Sequence, residues 1–110
     1  MSSSGAPLLS KLRSDGRVVH ASGLVSVPGD APTQIRGCFE KLKSTLSEAG
    51  LTMEDAQKVT VFLANLDDRD THLNPIWREY FPVNSPCRTT VQVGLGKALV
   101  EIEAVAAKSR

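Results

Sequence analysis

Cysteine and aromatic residues are scarce in this chain, whose 110 residues hold two Cys, one Trp, one Tyr and three Phe. Cys38 and Cys87 form no CxxC pair, and no histidine stands near either at a metal-ligand spacing. Neither a zinc site nor a disulfide-stapled scaffold is indicated, and two unpaired thiols are expected. Excess charge is missing as well: thirteen Lys and Arg offset twelve Asp and Glu, leaving a formal net charge of +1. A committed nucleic-acid binder displaces counterions with a basic stripe and stacks bases on aromatic platforms, and both are lacking. No apolar run approaches the ~20 residues that cross a bilayer, so a membrane partner is not expected. The expected compartment is the cytosol. The Ser-rich opening, free of acids until Asp15, leaves a mitochondrial presequence as the alternative.

What is present fits one globular domain. The length suits a single core, and 41% hydrophobic with 23% charged residues argues against disorder. Residues 1–7 are expected to form a flexible tail ahead of a single domain over residues 8–110. Asp15-Gly16 separates Leu8–Arg13 from Val18–Ser22 and predicts a hairpin. Gly23 is expected to break the second strand, with Leu24–Val27 a further extended piece. Ile35, Cys38, Phe39, Leu42, Leu46 and Ala49 repeat at helical spacing, predicting a helix over Thr33–Ala49 with Asp30 or Thr33 as its cap and Gly50 at its end. Lys58–Leu63 is β-branched and predicts a strand. Leu73, Ile76, Trp77, Tyr80 and Phe81 predict a second helix. Pro75 either occupies its first position behind an Asn74 cap or kinks a longer helix. Arg88–Val93 and Leu99–Ala107 predict two last strands. Strands before, between and after two helices imply an α+β fold: one sheet with both helices on one face.

That arrangement leaves the other sheet face uncovered. Val100, Ile102, Ala104 and Ala106 alternate with Leu99, Glu101, Glu103 and Val105, and the apolar set belongs under the helices. Taken as a hairpin, the last two strands put Arg88, Thr90 and Gln92 on the uncovered face with Glu101 and Glu103. A forked guanidinium suits a small carboxylate ligand, and a partly desolvated glutamate suits proton transfer. A plain cross-strand ion pair on a wet surface accounts for the same residues. A small chain with one naked sheet face often covers it by oligomerising.

Taken in order, several segments together resemble the Rid/YjgF family of reactive-intermediate deaminases, often labelled L-PSP endoribonucleases. They are Ser22-Gly23, Glu48-Ala49-Gly50-Leu51, Val59-Thr60-Val61-Phe62-Leu63, Asn74 with Tyr80-Phe81, Pro86-Cys87-Arg88 and Val100-Glu101-Ile102-Glu103-Ala104. The resemblance implies a chorismate-mutase-like fold with a single mixed sheet, assembled as a homotrimer with sites between subunits. It implies Arg88 as the carboxylate anchor and Glu101 as the residue that positions or activates water, with Gly23, Asn74 and Thr90 lining the substrate. The implied reaction is hydrolysis of 2-enamine or 2-imine acids of the 2-aminoacrylate type to a 2-keto acid and ammonia, without metal or organic cofactor. The implied partners are a small carboxylate substrate and further copies of the chain. Two positions depart from the pattern. Leu9 stands where the family commonly has an aromatic residue that encloses the ligand, and Thr90 where many members carry Cys. Loss of that aromatic makes a non-catalytic, trimeric carboxylate-binding or regulatory protein the alternative to the enzyme, ahead of an endoribonuclease.

Other chemistry finds less support. His20 and His72 are far apart in sequence, Ser22 has no identifiable His–Asp partners, and Gly94-Leu95-Gly96-Lys97 lacks the spacing of a phosphate loop. Trp77 reads as core or interface, and Asp67-Asp68-Arg69-Asp70 as a solvated helix start.

Overall fold

The computed structural model describes residues 8–108; the expected tail, residues 1–7, lies outside them. Five strands and two helices follow in the order β1 (Leu12–Ser14), β2 (Val18–Leu24), α1 (Ala31–Glu48), β3 (Ala56–Leu63), α2 (Asn74–Tyr80), β4 (Cys87–Gln92) and β5 (Val100–Ala107). The sheet is single and mixed, in the order β1-β2-β5-β3-β4. β5 is antiparallel to both β2 and β3, whereas β4 runs parallel to β3.

The first turn forms because Asp15 Oδ1 accepts hydrogen bonds from the backbone N–H of Arg17 and Val18, at 3.1 and 3.0 Å. Its strands are unequal: β1 is only three residues, while β2 continues through Gly23 to Leu24 instead of breaking there. The glycine sits at φ +72° in the register shift between Ala21 and Leu24, where a bulge needs the left-handed conformation. The separate strand expected over Leu24–Val27 does not form.

Helix α1 begins two residues earlier than its apolar spacing predicts. Asp30 is its cap, accepting from Thr33 N–H at 3.0 Å, and Pro32 fits the first turn, where its missing N–H costs nothing. Its end closes as a Schellman turn: Leu51 N–H reaches Leu46 O at 2.9 Å, and Gly50 N–H reaches Ser47 O with Gly50 at φ +76°. Ile35, Cys38, Phe39, Leu42 and Leu46 are buried against Val59, Val61, Leu63, Val100, Ile102, Ala104 and Ala106 from the sheet. Phe39 also meets Trp77, Tyr80 and Phe81, with ring centroids at 5.9, 5.1 and 5.9 Å. That cluster seats α2 beside α1, and Arg36 and Glu79 join the two outside with paired bonds of 2.8 Å. Both helices therefore lie on one face of the sheet, as the strand pattern predicts.

The last two strands correct the expectation of a hairpin. β5 inserts between β2 and β3, and β4 lies beyond β3 at the sheet edge. The segment between them is a crossover past β3, which a loop of this length also permits. Among the described residues no helix is long and apolar enough to cross a membrane.

Candidate functional site

Parallel neighbours in register point to the same side of a sheet, so the partners of β4 decide where its side chains go. Arg88 pairs with Val59, Thr90 with Val61 and Gln92 with Leu63, all three partners being buried under the helices. Arg88 and Thr90 therefore lie on the helix side of the edge strand, not on the uncovered face as hairpin pairing implied. Cys87, Thr89 and Val91 take the uncovered side with Lys58, Thr60 and Phe62.

Beneath this edge the second helix has an irregular start. A π-helical turn, Arg69–Leu73, runs directly into α2, and Asn74 N–H reaches back five residues to Arg69 O. Asn74 is itself helical at φ −62°, ψ −43°, so it is no cap; the widened turn carries the chain past Pro75 in one continuous helix. The turn sets Asn74 and Trp77 under β4. Arg88 Nη2 donates to Asn74 Oδ1 at 2.8 Å, and the Arg88 guanidinium carbon lies 4.9 Å from the Trp77 ring centroid. Asn74 in turn donates through Nδ2 to Asp70 Oδ1 at 3.1 Å. Burial first, then the nearby Arg69, lowers the Arg88 pKa, while Asp70 opposes them; a guanidinium stays charged regardless.

Two features of this cluster are unusual. Arg88 is half-buried yet has no carboxylate in salt-bridge contact among the described residues, its hydrogen-bonded partner being a neutral amide. Two residues along the same face, Thr90 Oγ1 is buried with no hydrogen-bond partner. Uncompensated charge and an orphaned hydroxyl both cost free energy in a finished core. The half-exposed guanidinium is what a small anion carrying oxygen acceptors would satisfy, whereas the Thr90 hydroxyl, closed to solvent, would meet such an anion only after a local side-chain shift.

The other expected residues lie elsewhere. Glu101 pairs with Phe62 and points to the uncovered face. Arg88 and Ala104 flank Val59 from opposite sides, which puts Glu101 two strands across and three residues along from Arg88, roughly 14 Å between backbone positions. Gly23 is exposed in the β2 bulge beside β5, and Leu9 precedes β1 at the far edge with 79% of its surface exposed. One protomer thus holds two partial constellations. Arg88, Thr90 and Asn74 stand at the β4 edge on the helix side; Glu101, Gly23 and Leu9 belong to the β1–β2–β5 half.

The uncovered face also carries a hollow of about 360 Å³ bounded by His20, Ser22, Lys58, Thr60, Glu103 and Val105. Among the described residues no group of three His, Cys, Asp or Glu side chains is placed to hold a metal. Cys38 is buried, and desolvation raises its thiol pKa to about 11, so it serves packing. Sequence reasoning missed Trp77 and Asp70 as neighbours of the arginine. Their signal was the helical spacing Asp70, Asn74, Trp77 around the asparagine, which gains meaning only once β4 is placed over it.

Fold and cluster together define an α+β protein with one mixed sheet whose edge strand presents an arginine with no carboxylate in salt-bridge contact among the described residues. Residues 9–108 match the family described as endoribonuclease L-PSP. The chain is 36% identical to the 3-aminoacrylate deaminase RutC of Acinetobacter baylyi, over 92% of this chain and 86% of that protein. It is 40% identical to a RutC family protein of Pyrococcus abyssi over 84 residues, covering 74% of this chain and 65% of that relative; the chain thus spans just under two thirds of the latter's length. Among solved structures, Escherichia coli TdcF with bound serine superposes with a TM-score of 0.85 at 29% identity, covering 96% and 91% of the two chains. The Escherichia coli YjgF gene product gives 0.84 at 27% identity, over 92% and 88%. The chain belongs to this endoribonuclease L-PSP family, the Rid/YjgF proteins.

Proposed function

We propose that the chain is a hydrolytic deaminase of small enamine and imine acids, acting at sites completed between copies of itself. The observation that carries this is Arg88: a half-buried guanidinium, oriented by Asn74 and Trp77, with its charge left for a ligand. A carboxylate accepts two parallel N–H bonds from such a fork, and the unpartnered Thr90 hydroxyl, closed to solvent in the free protein, would donate a further one once the ligand shifts its surroundings. A relative named as a deaminase and another solved with bound serine, itself an amino acid with a free carboxylate, support the same ligand class.

Glu101 supplies the chemical half in this proposal. Because it stands on the opposite sheet face from Arg88, the two act on one substrate only across a subunit boundary. A homotrimer placing the β4 edge of one protomer against the β1–β2–β5 half of the next satisfies that requirement and covers the naked face. Water, positioned by Glu101, adds to the C=N carbon of the imine tautomer. The nitrogen takes up protons, ammonia leaves, and an oxo acid remains, a 2-keto acid from a 2-imine and an aldehyde acid from a 3-imine. Free imines already hydrolyse in water, so orientation and charge stabilisation suffice. An RNA substrate is disfavoured by the net charge of +1 and the few aromatic residues. One observation favours a second reading, a carboxylate-binding protein without turnover: Leu9 offers no hydrogen bond where the family commonly has an aromatic residue.

The test is the rate of breakdown of 2-iminopropionate and of 3-aminoacrylate, each generated in situ, with wild type beside Arg88→Ala. Acceleration of either by wild type alone supports the deaminase and identifies the preferred isomer. Pyruvate binding that needs Arg88, without acceleration of either compound, supports the binding protein instead. Light scattering gives the assembly: a trimer of the 11.8 kDa chain weighs about 35 kDa, and a monomer contradicts a site shared between copies.

A further inference from the structure

We infer that Asp70 is a positioning residue for the anion site: it locks the amide of Asn74 so that only a carbonyl oxygen meets Arg88. The inference rests on Arg88 being the carboxylate anchor and adds a residue outside the ligand's reach. A carboxylate only accepts hydrogen bonds and a guanidinium only donates them, whereas a primary amide does one at each end. With Asp70 Oδ1 at 3.1 Å from Asn74 Nδ2 and Arg88 Nη2 at 2.8 Å from Asn74 Oδ1, one amide orientation satisfies both neighbours. Turned by half a rotation, the amide would set N–H against N–H and oxygen against oxygen. Asp70 thereby removes the orientation that repels Arg88.

A neutral spacer also explains why the arginine keeps its charge for a ligand. A carboxylate in direct contact with Arg88 would neutralise it, whereas Asp70 reaches it only through an uncharged amide. The π-helical turn matters here because it begins at Arg69 and carries Asp70 and Asn74 on successive turns of the same helical face. Trp77, one turn further, braces the guanidinium through its ring at 4.9 Å. Asp70 is largely exposed, its side chain keeping 75% of its surface, and its other polar contact is Arg69 Nε at a long 3.4 Å. Solvent therefore screens its charge, and the hydrogen bond to the amide is the main route by which it acts.

The sign of the effect separates this role from simple electrostatics. As a mere negative charge near an anion site, Asp70 would repel the ligand, and its removal would tighten binding. As the lock on Asn74, its removal weakens binding. The experiment measures pyruvate affinity by calorimetry for wild type, Asp70→Ala, Asp70→Asn and Arg88→Ala, with the thermal midpoint and oligomeric state of each. Asp70→Ala is expected to bind about 3- to 10-fold more weakly, the loss of one hydrogen bond's worth of ordering, with midpoint and assembly unchanged. Asp70→Asn, which still offers a carbonyl oxygen to Asn74 Nδ2, is expected to bind at least as tightly as wild type. Unchanged or tighter binding by Asp70→Ala, while Arg88→Ala loses pyruvate, overturns the role of Asp70 and leaves the anchor standing. Equal weakening in Asp70→Ala and Asp70→Asn also overturns it. Full pyruvate affinity in Arg88→Ala overturns the anchor and this inference together.

Discussion

At the β4 edge a single protomer fixes the guanidinium of Arg88 with an amide on one side and an indole ring beneath, whereas the carboxylate of Glu101 on the uncovered face makes no hydrogen bond or ion pair among the described residues. The first group is oriented within one chain; the second stands beside its register partner Phe62 on β3, with no described residue holding its carboxylate. Under the proposed function, recognition of a carboxylate is thus built into one chain. In that reading Glu101, the group assigned to the chemistry, acquires a defined setting only when another copy meets the sheet. Pre-orientation lowers the entropic cost of binding, and in the proposed enzyme deferring the other half would make turnover conditional on assembly.

Substitutions break this comparison from either end. Removing the anchor has the largest expected effect: Arg88→Ala lowers kcat/KM by about 10²-fold or more, since a charge-assisted fork contributes about 1.5–3 kcal/mol for each bond lost. Arg88→Lys keeps the charge without the fork and recovers only part of that in the same steady-state assay. Next in size is Glu101→Gln, which is expected to lower kcat about 10²-fold with KM changed less than about twofold, the range attributed to a general acid–base group. A rise in KM with kcat preserved would move Glu101 to the binding half.

Thr90→Val sharpens the comparison with a pair of opposite signs. The hydroxyl has no partner in the unliganded protein, so its removal should leave thermal stability level or raise it by about 1 kcal/mol or less. Pyruvate affinity, read by calorimetry, should nonetheless fall about 3- to 10-fold through loss of one hydrogen bond to the ligand. A drop in stability with affinity intact would assign Thr90 to the fold.

The smallest effect is on acid stability and leaves the site alone. Hydrogen bonds from the N–H of Val18 and Arg17 lower the carboxyl pKa of Asp15, and bonds from Thr33 lower that of Asp30, both from an ordinary 3.8. Each contribution is complete above that ordinary value and is lost as pH falls through the lower, folded-state value. Thermal midpoints should therefore hold steady from neutral pH down to about 5 and decline below about 4. The decline should be shallower in Asp30→Ala. An equal acid slope in that variant would contradict the assignment of the cap.

How much of this was legible in the sequence differs between the two halves of the molecule. Helix α1 was plain, because Ile35, Cys38, Phe39, Leu42 and Leu46 mark one face and Asp30 and Gly50 mark its ends. β5 was equally plain, its buried Val100, Ile102, Ala104 and Ala106 alternating without a break. β4 was not. Sequence neighbours joined by a short glycine-containing loop suggest a hairpin, yet β5 pairs better between β2 and β3, where both its edges find partners. The alternation in β4 also misled, because Val91 faces the uncovered side while Arg88 and Thr90 occupy positions that a fully covered strand would fill with aliphatic side chains. An edge strand can break the apolar rule on its helix side when the helix offers Asn74 and Trp77 there. Resemblance named Arg88, Asn74 and Glu101; only the strand order shows that they belong to two different surfaces.

The central claim, that Arg88 and Glu101 meet across a boundary between copies, is tested most directly by mixing. Arg88→Ala and Glu101→Gln protomers, each close to inactive alone, are refolded together in equal amounts and assayed for imine hydrolysis. Random assembly into closed rings gives about one boundary in four with an intact Arg88 on one side and an intact Glu101 on the other, so about a quarter of wild-type activity should return. Mixed assemblies of wild-type mass that stay as inactive as their parents would contradict the account.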